Sequence, residues 1–288
     1  MMYGELYKLA GWENSDGVEM FLTMLYLLFI AFFCGLVDSS MGMCYGTILS
    51  PTLLLMGYSP IVVVPSILFS QALSGVLAAG IHHYLGNVDF RLKSIDGRPN
   101  ELGYIEAFRR LSMDLKVTLC ITLLGMMATI IAALTAIALP RMILKTYIGI
   151  LVIIMGVLLL LDKHLKFSLN KMIIVGVLSA FNKGLSGGGF GPIVTSGQII
   201  SGREYRRSIA TTILSKALIC IVGFLTYLLR FSYLKWSLIF PLSIGAILGS
   251  IIGPHITRRI KFRGKGRLIL SFLIMTLGSW TLLRTWMT

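Results

Sequence analysis

Three ionisable residues sit where an apolar sequence should not hold them. Asp38 is the only acidic residue inside an apolar run, and Lys183 and Lys216 are the only basic residues well inside one. An ionised side chain at the centre of a bilayer costs roughly 2.5–3.5 kcal/mol even on translocon-insertion scales, so three together need a partner or a ligand. One acid against two bases leaves net positive charge, so Lys216 reads first as the positive charge for a small anionic substrate, held together with the Gly187–Gly191 amides. A structural ion pair between Asp38 and Lys216 would instead keep both charged without a ligand. Lys183, beside Asn182, also reads as a side chain snorkelling toward a wet vestibule, and Asp38 as a proton carrier.

Glycine supplies the second half of the chemistry. The stretch Ser186-Gly187-Gly188-Gly189-Phe190-Gly191-Pro192 ends one apolar arm and starts another. Glycine lets backbone amides approach a ligand closely, and a helix that starts there points the positive end of its dipole at the same spot. Pro192 suits a first helical turn, and unpaired first-turn amides form an anion site without side-chain help. An earlier stretch, Ser39-Ser40-Met41-Gly42-Met43-Cys44-Tyr45-Gly46-Thr47, is poorer in glycine and richer in hydroxyls and sulfur. Close helix crossing is the competing explanation for small residues in both places.

The two stretches are copies. Sliding the chain by 145 residues aligns 42–73 with 187–218 without a gap, placing Gly42 on Gly187, Gly46 on Gly191, Ile48 on Ile193, Gly57 on Gly202 and Ser70 on Ser215. The same offset puts Asp38 on Lys183 and Gln71 on Lys216, so four polar positions converge from related places. Ser208, Thr212 and Ser215 share a helical face with Lys216, and Ser66, Ser70 and Ser74 do so with Gln71.

The elements that must position these residues follow from composition. Of 288 residues, 56% are hydrophobic and 13% charged, where soluble domains run near a quarter charged. Mean hydropathy is +0.85. Apolar runs fall at about 20–38, 42–57, 60–84, 115–138, 142–161, 172–184, 188–201, 207–229, 236–254 and 267–286, several of them reaching the roughly 20 residues a transmembrane helix needs. The expected fold is all-α, a polytopic transmembrane helical bundle.

The formal net charge of +14 lies mostly in loops. Loop 86–114 holds Arg91, Lys93, Arg98, Arg109 and Arg110, and 257–267 holds Arg258, Arg259, Lys261, Arg263, Lys265 and Arg267; Lys163, Lys166 and Lys171 form a smaller cluster. The positive-inside rule puts all three in the cytoplasm and the acidic N-terminus, with Glu5, Glu13, Asp16 and Glu19, outside. Chaining the runs from these anchors works only if 20–57 returns to the outside and 172–201 to the inside. Each is then a hairpin of two full helices or of two half-helices meeting near mid-membrane; the short, glycine-joined arms favour half-helices for 172–201, whereas 20–38 alone is long enough to span. The two repeats are inverted across the membrane, a layout that points to a secondary transporter with a midplane site. The expected divisions are an extracytoplasmic segment 1–19, a first repeat 20–161 containing loop 86–114, and a second repeat 162–288, in a multi-pass protein of the cell membrane.

Several classes drop out. No aromatic-interleaved basic patch or reader module suggests nucleic acid. Cys34, Cys44, Cys120 and Cys220 lie in apolar runs without CxxC or Cys/His spacing, so no metal is expected and no disulfide framework. His82 and His83 are adjacent and point about 100° apart on a helix, unsuited to a haem or metal pair. No nucleophile constellation or paired carboxylates suggest an enzyme, no GxxxxGK[ST] suggests an ATP-driven pump, and no cofactor is expected. The N-terminus lacks the basic start of a cleavable signal peptide. The expected partners are a small anion and the lipid bilayer, with homo-oligomerisation left open.

These residues resemble the sulfite exporter TauE/SafE family, in which two homologous halves each open with a glycine-rich break, as in Gly176 to Gly191. A short Gly-x-x-Pro turn follows the second arm, seen as Gly57-Tyr58-Ser59-Pro60, and the first long helix exits at His83-Tyr84-Leu85-Gly86-Asn87-Val88-Asp89, similar to the family's Gly-Asn-Val-Asp ending. The resemblance covers both repeats, and loop 86–114 is longer than the family norm. It implies export of small sulfur oxyanions or organosulfonates such as sulfite or sulfoacetate. The expected substrate-binding set is Lys216, Lys183, Gly187, Gly188, Gly189, Gln71, Ser40 and Gly42, with Asp38 as the coupling or ion-pairing group. The alternatives are a transporter of a different small anion, or a non-transporting membrane scaffold.

Overall fold

A computed structural model describes residues 17–91, 111–161, 169–200, 203–230, 234–259 and 265–287. Most of the basic loop residues read above, Lys93 to Arg110, Lys163, Lys166, Lys261 and Arg263, lie outside the described residues, as do Glu5, Glu13 and Asp16.

Ten helices account for the described chain, and no strand forms among these residues: α1 Gly17–Met41, α2 Tyr45–Leu55, α3 Pro60–Tyr84, α4 Met113–Ala138, α5 Arg141–Leu161, α6 Leu169–Ser186, α7 Phe190–Ile200, α8 Tyr205–Arg230, α9 Trp236–Arg259 and α10 Lys265–Met287. They coincide with the ten apolar runs. Among the described residues five are long and apolar enough to cross a membrane, α1 from Phe21, α3, α4, α8 and α9. The 11-residue helices α2 and α7 reach only about 16 Å at 1.5 Å per residue, about half the hydrocarbon core.

Local chemistry sets the helix ends. Past α2, Gly57 sits at φ 94° and donates to the Leu54 carbonyl while Tyr58 donates to Leu53, a Schellman stop; Pro60 then opens α3 in the first-turn position where its missing N–H does no harm. The end of α3 repeats the device at Gly86, φ 71°. Ser112 caps α4 by accepting from the Leu115 N–H at 3.2 Å.

Packing joins distant parts of the sequence. α1 lies along α9, α6 along α4, α5 along α10, and α3 crosses α8. Small residues make the first contact close. On α9, Gly245, Gly249 and Gly253 recur every fourth residue, and a Cβ on Gly249 would stand 2.3 Å from the Phe32 carbonyl oxygen. Backbones this close are the usual means of helix association in lipid, where apolar surface alone gives no net attraction. Each of these pairs joins one helix from residues 17–161 to one from 169–287.

Candidate functional site

The three misplaced charges and Gln71 meet in one buried network. Lys216 Nζ lies 2.6 Å from both carboxylate oxygens of Asp38. The Gln71 amide nitrogen donates to Asp38 Oδ2 at 3.1 Å, and its oxygen accepts from Lys183 Nζ. Lys183 also donates to the Gly187 carbonyl. The order is ammonium, amide, carboxylate, ammonium, with every donor facing an acceptor. Lys216 therefore has a counter-ion and Lys183 has two neutral oxygens. Lys183 is only 1% exposed.

The helix breaks hold this network. Asp38 lies in the last turn of α1 and Lys183 in the last turn of α6, so both sit one turn before the break rather than in it. Gly42 (φ 77°) and Cys44 (φ 93°) carry the first turn of chain, and Gly187 (φ 75°) and Gly189 (φ 83°) carry the second. These are the left-handed values that side chains resist, so Cys44 occupies a conformation its aligned partner meets with glycine. The two breaks then cross. A Cβ on Gly46 would fall 1.8 Å from the Gly187 carbonyl oxygen, and one on Gly191 would fall 2.0 Å from the Gly42 carbonyl oxygen. Only glycine fits at either crossing.

A cavity of about 10 Å³ lies between the breaks, lined by Asp38, Gln71, Lys183 and Lys216 together with Cys44 to Thr47 and Gly188 to Pro192. That is about the space one water needs. Lys183, Lys216, Gln71, Gly188, Gly189 and Asp38 from the expected set line it. Gly42 and Gly187 adjoin it, each presenting its carbonyl to a lysine at 3.5 Å or closer. Ser40 is not brought in: its hydroxyl donates to the Val37 carbonyl at 3.0 Å and its own carbonyl accepts from Thr257. The Gly188 N–H donates to the Ser186 hydroxyl at 3.1 Å.

Two further clusters flank the site, one around Asp114 and one around His82. Asp114, 2% exposed, accepts from Arg203 and, at 3.5 Å, from Arg207, tying the α7–α8 turn to the start of α4. Two residues before Lys116 in the chain it reads as one more loop charge, although it is the second residue of the Ser112-capped helix α4. His82 explains the exit motif. Asn87 Nδ2 donates to His82 Nδ1 at 3.0 Å and lies 3.1 Å from the Pro254 carbonyl, so His82 carries its proton on Nε2 and donates it to the Ser39 carbonyl at 2.9 Å. The motif fastens the end of α3 to α9 and to the residue after Asp38.

A multi-pass helical protein with half-length helices meeting at a buried, net-positive centre has the layout of a membrane transporter. The profile of the sulfite exporter TauE/SafE family matches residues 102–281, and the chain belongs to that family of membrane transporters. It is 23% identical over 278 residues to the probable membrane transporter protein YtnM of Bacillus subtilis (strain 168), a match spanning 91% of this chain and 84% of that protein. No solved structure matches it.

Proposed function

We propose that this chain carries small sulfur-containing anions, such as sulfite or organosulfonates, out across the cell membrane by alternating access around a midplane site. The carrying observation is the charge balance of the central cavity, where two lysines and one carboxylate are the charged lining residues and Lys183 has only neutral partners. An anion at Lys183 supplies the missing negative charge. First-turn amides of α7, from Gly189 onward, add donors at the positive end of a helix dipole. Lys216 stays with Asp38, and Gln71 links that pair to the anion.

A sulfite or sulfonate group exceeds the room one water needs, so binding requires the helices around the cavity to part. An inverted repeat would give two equivalent ways of parting, one to each side. Supporting it are the 145-residue register, the paired φ values at 42/187 and 44/189, and the reciprocal crossing of Gly46 and Gly191. The close packing of α1 on α9 and of α6 on α4 keeps each of these pairs together as the cavity opens. With the N-terminus outside and the basic loops cytoplasmic, an anion leaving a negative interior gains about 2.3 kcal/mol per charge per 100 mV. The same charge balance suits other small anions, so selectivity must be read by experiment.

The test is anion efflux from proteoliposomes, with sulfite, a sulfonate, sulfate and a carboxylate run side by side. We expect sulfite or sulfonate to move fastest and Lys183→Met to lower flux at least tenfold. Sulfite flux equal to that of empty liposomes, or unchanged flux in both Lys183→Met and Lys216→Ala, overturns the reading.

A further inference from the structure

A second basic recess lies at one end of the bundle, remote from the central cavity. It measures about 250 Å³ and is lined by Leu54, Leu55 and Gly57 at the end of α2, Lys145 near the start of α5, and Thr281, Arg284 and Thr285 near the end of α10. That volume is just below the usual small-molecule range of about 300–1,000 Å³. Its lining contains two cations and two hydroxyls and no carboxylate. Lys145 is half-buried and makes no hydrogen bond or ion pair with the described residues. Arg284 donates to the Leu55 carbonyl, which holds its guanidinium at the rim.

The surroundings say which anion fits. Trp280 and Trp286, on the same helix as Arg284, are 61% and 67% exposed, and Ile143 and Leu283 beside the lining residues are also exposed. Tryptophan on an outward helix face near a helix end marks the membrane–water interface. A recess at that depth, open beside apolar side chains, meets lipid headgroups, and anionic headgroups are drawn to clustered Lys and Arg. We propose that this recess binds the phosphate of an anionic lipid headgroup, with Lys145 and Arg284 as its charge partners; the Thr281 and Thr285 hydroxyls donate to the Leu277 and Thr281 carbonyls and only line it. The proposal is independent of which anion the central site carries.

The experiment places the purified protein in nanodiscs of phosphatidylethanolamine with increasing phosphatidylglycerol, following thermal unfolding and, by native mass spectrometry, retained lipid. Wild type should gain stability with phosphatidylglycerol and retain it, and Lys145→Gln should weaken that retention about tenfold while unfolding normally in phosphatidylethanolamine alone. Lys145→Arg should restore retention. Inorganic phosphate, added in place of the anionic lipid, should give no such gain. Phosphatidylglycerol retention equal in wild type and in a Lys145→Gln/Arg284→Gln double variant overturns the site. A Lys145-dependent gain from inorganic phosphate as large as that from the lipid overturns its assignment to a headgroup and leaves a site for a free oxyanion.

Discussion

Lys216 grips both oxygens of Asp38 at 2.6 Å, although 178 residues of chain separate them. Both side chains are buried, so neither charge is satisfied by water. Removing one partner from such a pair costs about 3–5 kcal/mol because the other is stranded, whereas replacing both can be neutral. Lys216→Met should therefore lower the unfolding temperature sharply, and Asp38→Asn/Lys216→Met should recover most of it, in thermal unfolding of the detergent-solubilised protein. A loss in the double variant equal to the sum of the two single-variant losses would show that the pair contributes nothing as a pair.

Glycine substitutions should differ in sign with position. Gly46→Ala and Gly191→Ala push a methyl into the opposite break's carbonyl, where backbone cannot step aside, and should cost about 3 kcal/mol or more. Gly80 lies within α3, with open space where its Cβ would be. Gly80→Ala should be neutral or stabilise by up to about 1 kcal/mol, since alanine is the better helix former. Unfolding curves of the three variants decide it.

The ion pairs around the α7–α8 turn should rank by burial. Asp114→Asn strands Arg203, whose side chain is 14% exposed, and should cost about 3 kcal/mol or more. Glu204→Gln breaks only the Glu204–Arg207 pair, with both side chains more than half exposed, and should change stability by less than about 1 kcal/mol. Comparable losses from both would refute the burial argument.

Asn87→Ala leaves His82 Nδ1 and the Pro254 carbonyl without their shared donor. A buried polar group left unpaired costs about 1–3 kcal/mol, and the loosened end of α3 sits next to Asp38. Loss of stability is the expected result; unchanged unfolding would make the exit motif's role something other than this tether.

The sequence carries its local features openly and its long-range ones poorly. All ten helices are visible as apolar runs, because lipid demands length and hydrophobicity from each segment on its own. The breaks at Gly42 and Gly187 are visible because glycine is the residue that tolerates positive φ. Gln71 is found only through its alignment with Lys216, since an uncharged amide in a serine-bearing helix looks unremarkable alone. What stays hidden depends on contacts between distant segments. Nothing in residues 17–41 names α9 as their partner, Ser40 gives no sign of turning away toward Val37 and Thr257, and Asp114 looks like loop charge until Arg203 arrives beside it. Weighing Lys216 against Asp38 as substrate ligand or ion-pair partner was possible from charge alone. That Lys183 would be the lysine without a carboxylate was not, because the aligned positions give no distances.

The pairing of early helices with late ones sets a schedule for biosynthesis. Ribosomes add about 5–20 residues per second, so a nascent chain that has delivered Asp38 to the membrane waits roughly ten to thirty seconds for Lys216. During that interval α1 has neither its glycine-lined partner α9 nor a counter-ion. The carboxylate needs another partner, or shelter beside the insertion machinery, until then. The first half is thus left like an unfinished clasp until the second half delivers α8, α9 and α10 in turn.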